Sequence, residues 1–324
     1  MAQATPLPLD AAAAQRLRLR ATYASLGAAV VLIAAKFVAW IDTGSVALLS
    51  SLVDSLVDAV ASLVTFVAVR RAAIPADREH RFGHGKAEPL AALGQSAFLL
   101  GSSALLMAEA VRRLLAPQPI GNTATGIAVM LFSMVVTLGL VAYQRHVVRR
   151  TGSLAINADE LHYRGDVLLN LSVIATLVIG SVFSVPLLDP LFGAAVGLYI
   201  IYSASKIARL SLTQLMDREL PDAERARVRA TAESHPEVTA VHDIRTRGAG
   251  PTTFIQLHIE MDGGMTLLRA HEISDAVEAE LRAAFPYAEI IIHSDPAGIE
   301  EYVAFPAPRT AARQSRENRT QSAS

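Results

Sequence analysis

Four residues that can bind a metal ion lie in two apolar segments of the chain. Asp54 and Asp58 stand in the first segment, and His162 and Asp166 stand in the second. Each pair has the spacing i, i+4, which places both side chains on one face of a helix. A charge at bilayer depth costs about 2.5–3.5 kcal/mol, so three unpaired carboxylates would cost roughly 10 kcal/mol. A bound divalent cation offsets this cost, and carboxylate oxygens with one imidazole nitrogen suit Zn2+.

A second explanation of the same residues is structural. Polar side chains inside membrane spans also form hydrogen bonds between helices, and these bonds then only fix the packing. That explanation is the ordinary one for a single polar residue, whereas two pairs with helical spacing in separate spans favour a tetrahedral metal site. Lys36, in an earlier apolar segment, is interpreted as a residue that snorkels to the membrane interface or makes a packing contact.

The composition is typical of a membrane protein. The chain has 324 residues, of which 52% are hydrophobic and 18% are charged, and its mean hydropathy is +0.36. A chain with these values is too apolar and has too few charged residues to be an ordinary soluble protein of this size. A net charge of −1 gives no indication of nucleic acid binding. The chain contains no cysteine, which excludes disulfides and thiolate metal ligands.

Six segments are long enough to cross a membrane as helices, which takes about 20 mostly apolar residues. They are residues 22–41, 45–70, 87–115, 123–148, 157–183 and 188–207. They define a transmembrane domain over residues 21–210. Basic residues are concentrated before the first segment, in the second and fourth loops, and after the sixth segment, which predicts that both termini are cytoplasmic. Residues 1–20 are predicted to be a cytoplasmic segment, because they lack a cleavable signal pattern.

The chain after Asp217 has the composition of a soluble domain. Helical periodicity at 221–235 and 267–285, with strand patterns at 238–247, 252–261 and 289–293, predicts a small α/β domain over residues 211–305. A domain of about 85 residues is close to the minimum for an independent core. Residues 306–324 are rich in Arg, Ser, Gln and Thr and are predicted to be a disordered tail.

Five motifs occur in the order found in a known family of transporters. They are Gly-Ser-Val-Ala-Leu-Leu-Ser-Ser-Leu-Val-Asp-Ser-Leu-Val-Asp at residues 44–58, His-Arg-Phe-Gly-His-Gly-Lys-Ala-Glu at 80–88, Ala-Asp-Glu-Leu-His-Tyr-Arg-Gly-Asp at 158–166, His-Asp-Ile-Arg-Thr-Arg at 242–247 and Ile-Ile-His-Ser-Asp-Pro at 291–296. On these motifs the chain resembles the cation diffusion facilitators, specifically their bacterial zinc and ferrous-iron efflux branch. The resemblance covers nearly all of the chain except the first 20 residues and the tail.

The resemblance implies a mostly α membrane protein, with six transmembrane helices followed by a cytoplasmic α/β domain similar to metallochaperones. It also implies that the four ligands named above form the transport site. Zn2+ would leave the bacterial cytoplasm across the inner membrane in exchange for protons, by alternating access. Metal binding itself requires deprotonated carboxylates and a neutral imidazole, so loading must release protons. The physiological metal stays open, because the same ligands accept Fe2+, Cd2+ and Co2+.

The loop after the second span holds a further group of candidate ligands. Asp77, His80 and His84 have a spacing that suits one metal ion, and the resemblance implies a metal site there, for metal delivery or dimer regulation. A solvated polar loop is the alternative. The resemblance pairs Lys86 with Asp217 in a charge interlock near the dimer interface. Without that pair, Lys86 only adds to the positive charge on the cytoplasmic side.

The C-terminal domain contains residues that match a binuclear zinc site of the resembling family, which helps the domain to form a homodimer. They are His242, His258, His271, His293 and Asp295. For any one of these histidines alone, the alternative explanation is an ordinary surface residue. Polar and apolar residues alternate around His258, which predicts that its side chain lies on the polar face of a strand. Ser294 stands where relatives often carry Gln, so a contribution from this side chain stays open.

Three other functions are compatible with metal ligands in a membrane protein. A membrane metal sensor would not need ligands inside the spans. A channel must release its ion quickly, which tight binding by four ligands opposes. A metalloenzyme needs an open coordination position for water, which four protein ligands fill. The sequence therefore predicts a secondary active transporter and not an enzyme.

Overall fold

The computed structural model describes residues 11–115, 124–180, 187–250 and 252–298. Six long helices come first in the chain: α1 (Ala11–Thr43), α2 (Val46–Ala72), α3 (Ala87–Leu115), α4 (Ala124–Thr151), α5 (Leu154–Gly180) and α6 (Leu188–Leu215). Each helix corresponds to one predicted span. The predicted disordered tail, and the ends of two predicted spans at 123 and 181–183, lie outside the described residues.

Five helices in the described part of the chain are long and apolar enough to cross a membrane, by length and composition: α1, α2, α3, α4 and α6. The helix α5 has 27 residues, which is the length of a span. It is more polar because it contains Asp159, Glu160, His162, Arg164 and Asp166. These side chains are buried or half-buried in the bundle, which reduces the penalty of facing lipid. The predicted class, a mostly helical membrane protein followed by an α/β domain, is confirmed.

Two glycines terminate helices and begin short turns. Gly44 follows α1 with a φ angle of 62°, and its N–H donates to the Trp40 carbonyl at 2.7 Å. Gly152 follows α4 with a φ angle of 64°, and its N–H donates to the Val148 carbonyl at 2.8 Å. Glycine adopts this left-handed conformation without steric strain, and the hydrogen bond satisfies a carbonyl of the last turn. The turns let α2 pack on α1 and α5 pack on α4.

Small side chains allow the helices to approach closely. The helix α3 packs along α6, α1 packs on α2 and α4, and α5 contacts α3, α4 and α6. One core cluster contains Ala92, Ala158 and Ala204, from α3, α5 and α6, each of which is 0% exposed. An added Cβ at Gly165 of α5 would lie 3.0 Å from Cδ1 of Ile200 in α6. Such small residues at helix contacts are typical of membrane bundles, because they increase van der Waals contact between the backbones.

The two halves of α5 differ in burial. From Leu154 to Tyr163, every side chain except that of Asn157 is buried. After Val167, the described side chains of this helix are half-buried or exposed, apart from that of Thr176. The candidate ligands His162 and Asp166 lie where the burial changes. The burial of the α5 side chains therefore decreases along the helix past these two candidate ligands.

The C-terminal elements are α7 (Asp222–Glu233), β1 (Ala240–Ala249), β2 (Thr252–Met261), α8 (Leu267–Ala284) and β3 (Ala288–Pro296). The strands form one sheet in the order β1-β2-β3. The strands β2 and β3 run in the same direction, because the Thr253 N–H donates to the Tyr287 carbonyl at 3.1 Å and the Ala297 N–H donates to the Met261 carbonyl at 2.7 Å. The helix α8 connects these two strands, which makes a βαβ unit.

The core of this domain comes from one face of β2 and from both helices. Its largest contributors are at most 2% exposed: Val228, Ala232, Ile255, Leu257, Ile259, Met261, Ile273, Val277 and Leu281. The apolar residues of β2 alternate with Gln256, His258 and Glu260, which are exposed or half-buried. This is the alternation that the sequence predicts, and it places His258 on the face of the strand away from the core.

Candidate metal centres

Three candidate ligands converge inside the helix bundle. Nε2 of His162 on α5 lies 2.6 Å from Oδ1 of Asp58 on α2, and 4.0 Å from Oδ2 of Asp166. One ligand atom from each of these residues lies within 4.8 Å of the other two. His162 is 8% exposed, whereas both carboxylates are half-buried. Zn2+ binds nitrogen and oxygen ligands at about 2.0–2.2 Å, so one ion between these three atoms requires only small side-chain movements.

Asp54 does not join this group of three in the structure. It lies one helical turn before Asp58 on α2, and its side chain is exposed. Residues with this spacing share a helix face. The geometry therefore brings together three of the four predicted transport ligands, and the contribution of Asp54 stays a prediction.

Two aromatic rings lie beside His162. The ring of Phe98 on α3 has its centroid 6.1 Å from that of the imidazole, and the ring of Tyr163 lies at 5.7 Å. These rings lower the local polarity, which strengthens the attraction between the carboxylates and a cation.

Asp159 lies at the centre of a buried polar cluster. Its Oδ2 accepts hydrogen bonds from Ser25 Oγ at 2.7 Å and from Gln144 Nε2 at 2.6 Å. Its Oδ1 accepts hydrogen bonds from Ser62 Oγ at 3.2 Å and from Gln95 Nε2 at 3.3 Å. Asp159 is 1% exposed, and the four donors come from α1, α4, α2 and α3. This Asp159 cluster therefore ties each of the first four helices to α5.

The Asp159 cluster lies next to the candidate ligand His162 along α5. His162 follows Asp159 by three residues on α5, and the hydroxyl of Tyr163 lies 2.9 Å from Ser62 Oγ. The sequence pattern does not single out Asp159, although this residue stands in the motif at 158–166. A carboxylate in an apolar span, with glutamines in two other spans, is the signal that could have pointed to the cluster.

A second buried polar contact lies where α5 begins. Arg18 Nη1 on α1 donates to Glu88 Oε1 on α3 at 3.1 Å, and both side chains are at most 8% exposed. Ser153, just before α5, donates to the other carboxylate oxygen of Glu88. The buried charges of Arg18 and Glu88 thus neutralise each other and connect α1, α3 and the turn before α5, a contact that the sequence pattern does not indicate.

Lys36 makes a specific packing contact, one of the two interpretations that the sequence leaves open. Its Nζ donates to the carbonyl of Ser51 at 3.1 Å and to Oγ of Ser55 at 2.7 Å. Both acceptors belong to α2, on either side of Asp54 in the sequence. The ammonium group is therefore held against the turn of α2 from which the acidic ligands project.

The loop ligands lie together between α2 and α3. Nδ1 of His80 is 3.6 Å from Oδ1 of Asp77, and Nε2 of His84 is 3.5 Å from Oδ2 of the same carboxylate. The backbone N–H groups of His80 and Glu79 both donate to Asp77 Oδ1. These bonds, that from His80 first, lower the pKa of the Asp77 carboxyl. Asp77 is thus ionised at neutral pH, as a metal ligand must be.

Replacing His80 and His84 together by alanine should lower the bound zinc content by about one ion per protomer, because it leaves a single carboxylate at this loop. Metal analysis of the purified protein after exhaustive dialysis measures this content. His146→Ala is the matched control, since His146 is exposed on α4 and should not bind zinc. An unchanged zinc content in the double variant would show that the loop is an ordinary polar loop.

The two residues of the predicted charge interlock form an ion pair within the protomer, and their role near a dimer interface stays a prediction. Lys86 Nζ lies 2.9 Å from Oδ1 of Asp217, just after the end of α6, and it also donates to the Leu215 carbonyl at 3.3 Å. Both charged side chains are about two-fifths exposed. An ion pair with this exposure contributes roughly 0–1 kcal/mol. Its effect is therefore to fix the geometry at the end of α6 more than to add stability.

Asp295 connects the predicted ligands of the C-terminal domain. Its Oδ2 lies 2.8 Å from His258 Nδ1 and 3.5 Å from His242 Nε2, and its Oδ1 lies 3.0 Å from His293 Nε2. The side chain of Asp295 is 8% exposed. A carboxylate with a histidine at each oxygen can bridge two metal ions. The structure therefore brings together four of the five ligands predicted here.

His271 lies apart from this group. It stands on α8, its side chain is 68% exposed, and its Nε2 lies 3.6 Å from Oδ2 of Asp275. Its membership of the cytoplasmic metal site stays a prediction. Ser294 Oγ lies 2.9 Å from Ser274 Oγ, so this side chain is hydrogen-bonded within the domain.

Comparison with known proteins covers both parts of the chain. The description "cation efflux transmembrane domain" matches residues 22–216, and "cation efflux protein, cytoplasmic domain" matches residues 220–297. The cation-efflux pump FieF of Shewanella oneidensis is 44% identical over 280 residues, which is 86% of this chain and 94% of that protein. FieF of Serratia proteamaculans is 45% identical over 284 residues, which is 88% of this chain and 94% of that protein.

Among solved structures, the chain is similar to the metal-bound C-terminal domain of the CzcD transporter from Thermotoga maritima. That match has 30% identity and a TM-score of 0.24, and it covers 25% of this chain and 100% of that structure. The family matches span both domains in their expected order, and the relatives align along nearly their whole length. The ligands on α2 and α5 thus stand in the membrane domain of a transporter, and the chain belongs to the cation efflux family.

Proposed function

We propose that this protein exports Zn2+ from the bacterial cytoplasm in exchange for protons, by alternating access. The observation that carries the proposal is the convergence of Asp58, His162 and Asp166 between two helices of the bundle. With Asp54, they supply three carboxylates and one imidazole, a donor set suited to Zn2+. Fe2+, Cd2+ and Co2+ are further candidate substrates, because these ligands do not separate them from Zn2+.

The contact between His162 and Asp58 supports proton exchange. At 2.6 Å, Nε2 and Oδ1 are joined by a hydrogen bond, which requires a proton between the two atoms. A metal ion that binds both atoms must take the place of this proton. Loading the site with metal releases this proton when His162 is an imidazolium or Asp58 is protonated, whereas a neutral imidazole keeps the proton by moving it to Nδ1. A proton that returns to the site competes with the metal.

The burial of α5 supports alternating access. His162 and Asp166 lie between a buried half of the helix and a less buried half. A transport site must exchange with one side of the membrane at a time, so one half must be closed while the other is open. The change in side-chain burial along α5 at the position of the candidate ligands supports such an arrangement.

The proposed function also includes a membrane topology and a dimeric assembly. Basic residues in alternate loops favour both termini in the cytoplasm of a bacterial inner membrane protein. The C-terminal domain, matched as a cytoplasmic domain, would hold Zn2+ at Asp295 and its histidines and support a homodimer. The loop ligands would deliver metal or regulate the dimer. The relatives' name, cation-efflux pump, supports outward transport.

Reconstituted vesicles test this proposal directly. The purified protein is placed in lipid vesicles that contain a zinc indicator and a pH indicator, and Zn2+ or another divalent metal is added outside. We expect zinc entry with simultaneous movement of protons out of the vesicles, absent from protein-free vesicles. Zinc entry without a pH change would exclude antiport. Zinc binding without entry would indicate a metal sensor instead of a transporter.

A further inference from the structure

Lys36 is a basic residue in an apolar part of the membrane domain. It is the single basic residue between Arg20 and Arg70, and it lies well inside α1, which extends from Ala11 to Thr43. A charged side chain at this depth is unfavourable unless it has partners. The proposed transport mechanism assigns no role to Lys36.

The hydrogen bonds of Lys36 hold its ammonium group beside the segment of α2 that carries Asp54 and Asp58. Its Nζ is held by the Ser51 carbonyl and the Ser55 hydroxyl. Ser55 follows Asp54 directly and precedes Asp58 by three residues, which is less than one turn of α2. Both acceptors are neutral, so the positive charge of the ammonium group is not cancelled by the atoms that hold it.

The same charge acts on all three carboxylates proposed as ligands. Lys36 is close enough to Asp54, Asp58 and Asp166 to interact electrostatically with each of them. It is half-buried, and in such surroundings a charge interacts over longer distances than in water. A cation bound between the carboxylates must therefore be repelled by Lys36.

We infer that Lys36 is an affinity-determining residue of the transport site, whose fixed positive charge weakens metal binding and so speeds metal release. This inference rests on the proposed function. Three carboxylates, one divalent cation and one ammonium group carry no net charge together when His162 is neutral. The loaded site is thus electrically balanced inside the bilayer, where a net charge is unfavourable.

This role has a kinetic consequence that separates it from a packing role. A neutral residue at position 36 leaves the carboxylates uncompensated, so they bind a cation more tightly. Tighter binding lowers KM, and it lowers kcat as well when release of the metal limits turnover. A residue that only packs α1 on α2 would, on removal, loosen the site and raise KM.

The test measures zinc transport by Lys36→Gln and Lys36→Arg in the reconstituted vesicles described above. We expect KM for zinc to fall about tenfold in Lys36→Gln, with a lower kcat, because one repulsive charge beside a divalent cation is removed. Lys36→Arg keeps the charge and should keep KM close to that of the wild type. Lys206→Gln makes the same chemical change at an exposed position of α6 and should alter neither constant.

The KM values of these variants distinguish an electrostatic role of Lys36 from a packing role. An unchanged or raised KM in Lys36→Gln overturns the inference, and so does a KM shift in Lys36→Arg equal to that in Lys36→Gln. If Lys36→Gln does not elute as folded protein, Lys36→Met supplies the same neutral charge with an apolar side chain suited to lipid. If the wild-type protein moves no zinc, the proposed function has failed, and zinc affinity at equilibrium still tests the effect of Lys36.

Discussion

Replacement of Asp58 by asparagine should abolish zinc transport while leaving the protein folded. Asp58 is the closest partner of His162, at 2.6 Å, and asparagine has nearly the same shape and can still form a hydrogen bond. It cannot supply the negative charge that a metal ion needs. Loss of a hydrogen-bonded neighbour of a metal ligand costs about 10–100-fold in affinity or activity, and loss of the ligand itself should cost more.

The measurement is the initial rate of zinc entry into vesicles at equal protein content, with the elution volume of the detergent-purified protein as a check on folding. Asp42→Asn is the matched control, because Asp42 is an exposed carboxylate near the end of α1 and lies outside the group of ligands. We expect this control to transport zinc like the wild type. Wild-type rates in Asp58→Asn would show that the intramembrane ligands are not the transport site.

Replacement of Asp159 by alanine should have the largest effect on stability. The change removes the acceptor of four buried donors from four helices. A buried donor left unsatisfied costs about 1–3 kcal/mol, and some of the four can form new bonds with each other. A net loss of about 3 kcal/mol or more should lower Tm by roughly 6–12 °C for a membrane domain of this size.

Thermal unfolding in detergent, followed by tryptophan fluorescence or by loss of the elution peak of the folded protein, measures this shift. Asp159→Asn should be destabilised less, because it keeps one oxygen acceptor and the side-chain volume. Asp42→Ala, at an exposed position, should leave Tm within about 1 °C of the wild type. A Tm of Asp159→Ala equal to that of Asp42→Ala would mean that the Asp159 cluster does not hold the bundle together.

The sequence predicts the helices well because their signal is local. Long apolar runs and basic loops are visible without any knowledge of packing. The start of α1 shows the limit of this signal, since the helix begins at Ala11 instead of at the predicted residue 22. Residues 16–20 are partly basic, so their sequence does not predict a membrane span. In the structure, however, Arg18 is buried against Glu88 of a different helix. Only the tertiary contact makes this polar turn part of the bundle.

The sequence also predicts which candidate ligands share a helix face, but not their tertiary contacts. The spacing of His162 and Asp166 places them on one helix face, and the structure brings them to Asp58. The spacing does not decide rotamers or exposure, so it gives no indication that Asp54 lies outside the group of three. The Asp159 cluster is invisible for another reason, because its contacts join residues as far apart as Ser25 and Asp159 in the sequence.

The order of the Asp159 cluster along the chain has a consequence for biosynthesis. Its donors are Ser25, Ser62, Gln95 and Gln144, and all four precede their acceptor in the sequence. A ribosome therefore delivers four helices to the membrane before the carboxylate that joins them exists. During this interval the donors must bond to one another, to water or to helix backbones. Insertion of α5 is thus the step that completes the polar interior of the bundle, and a chain truncated before residue 159 contains every donor without the acceptor.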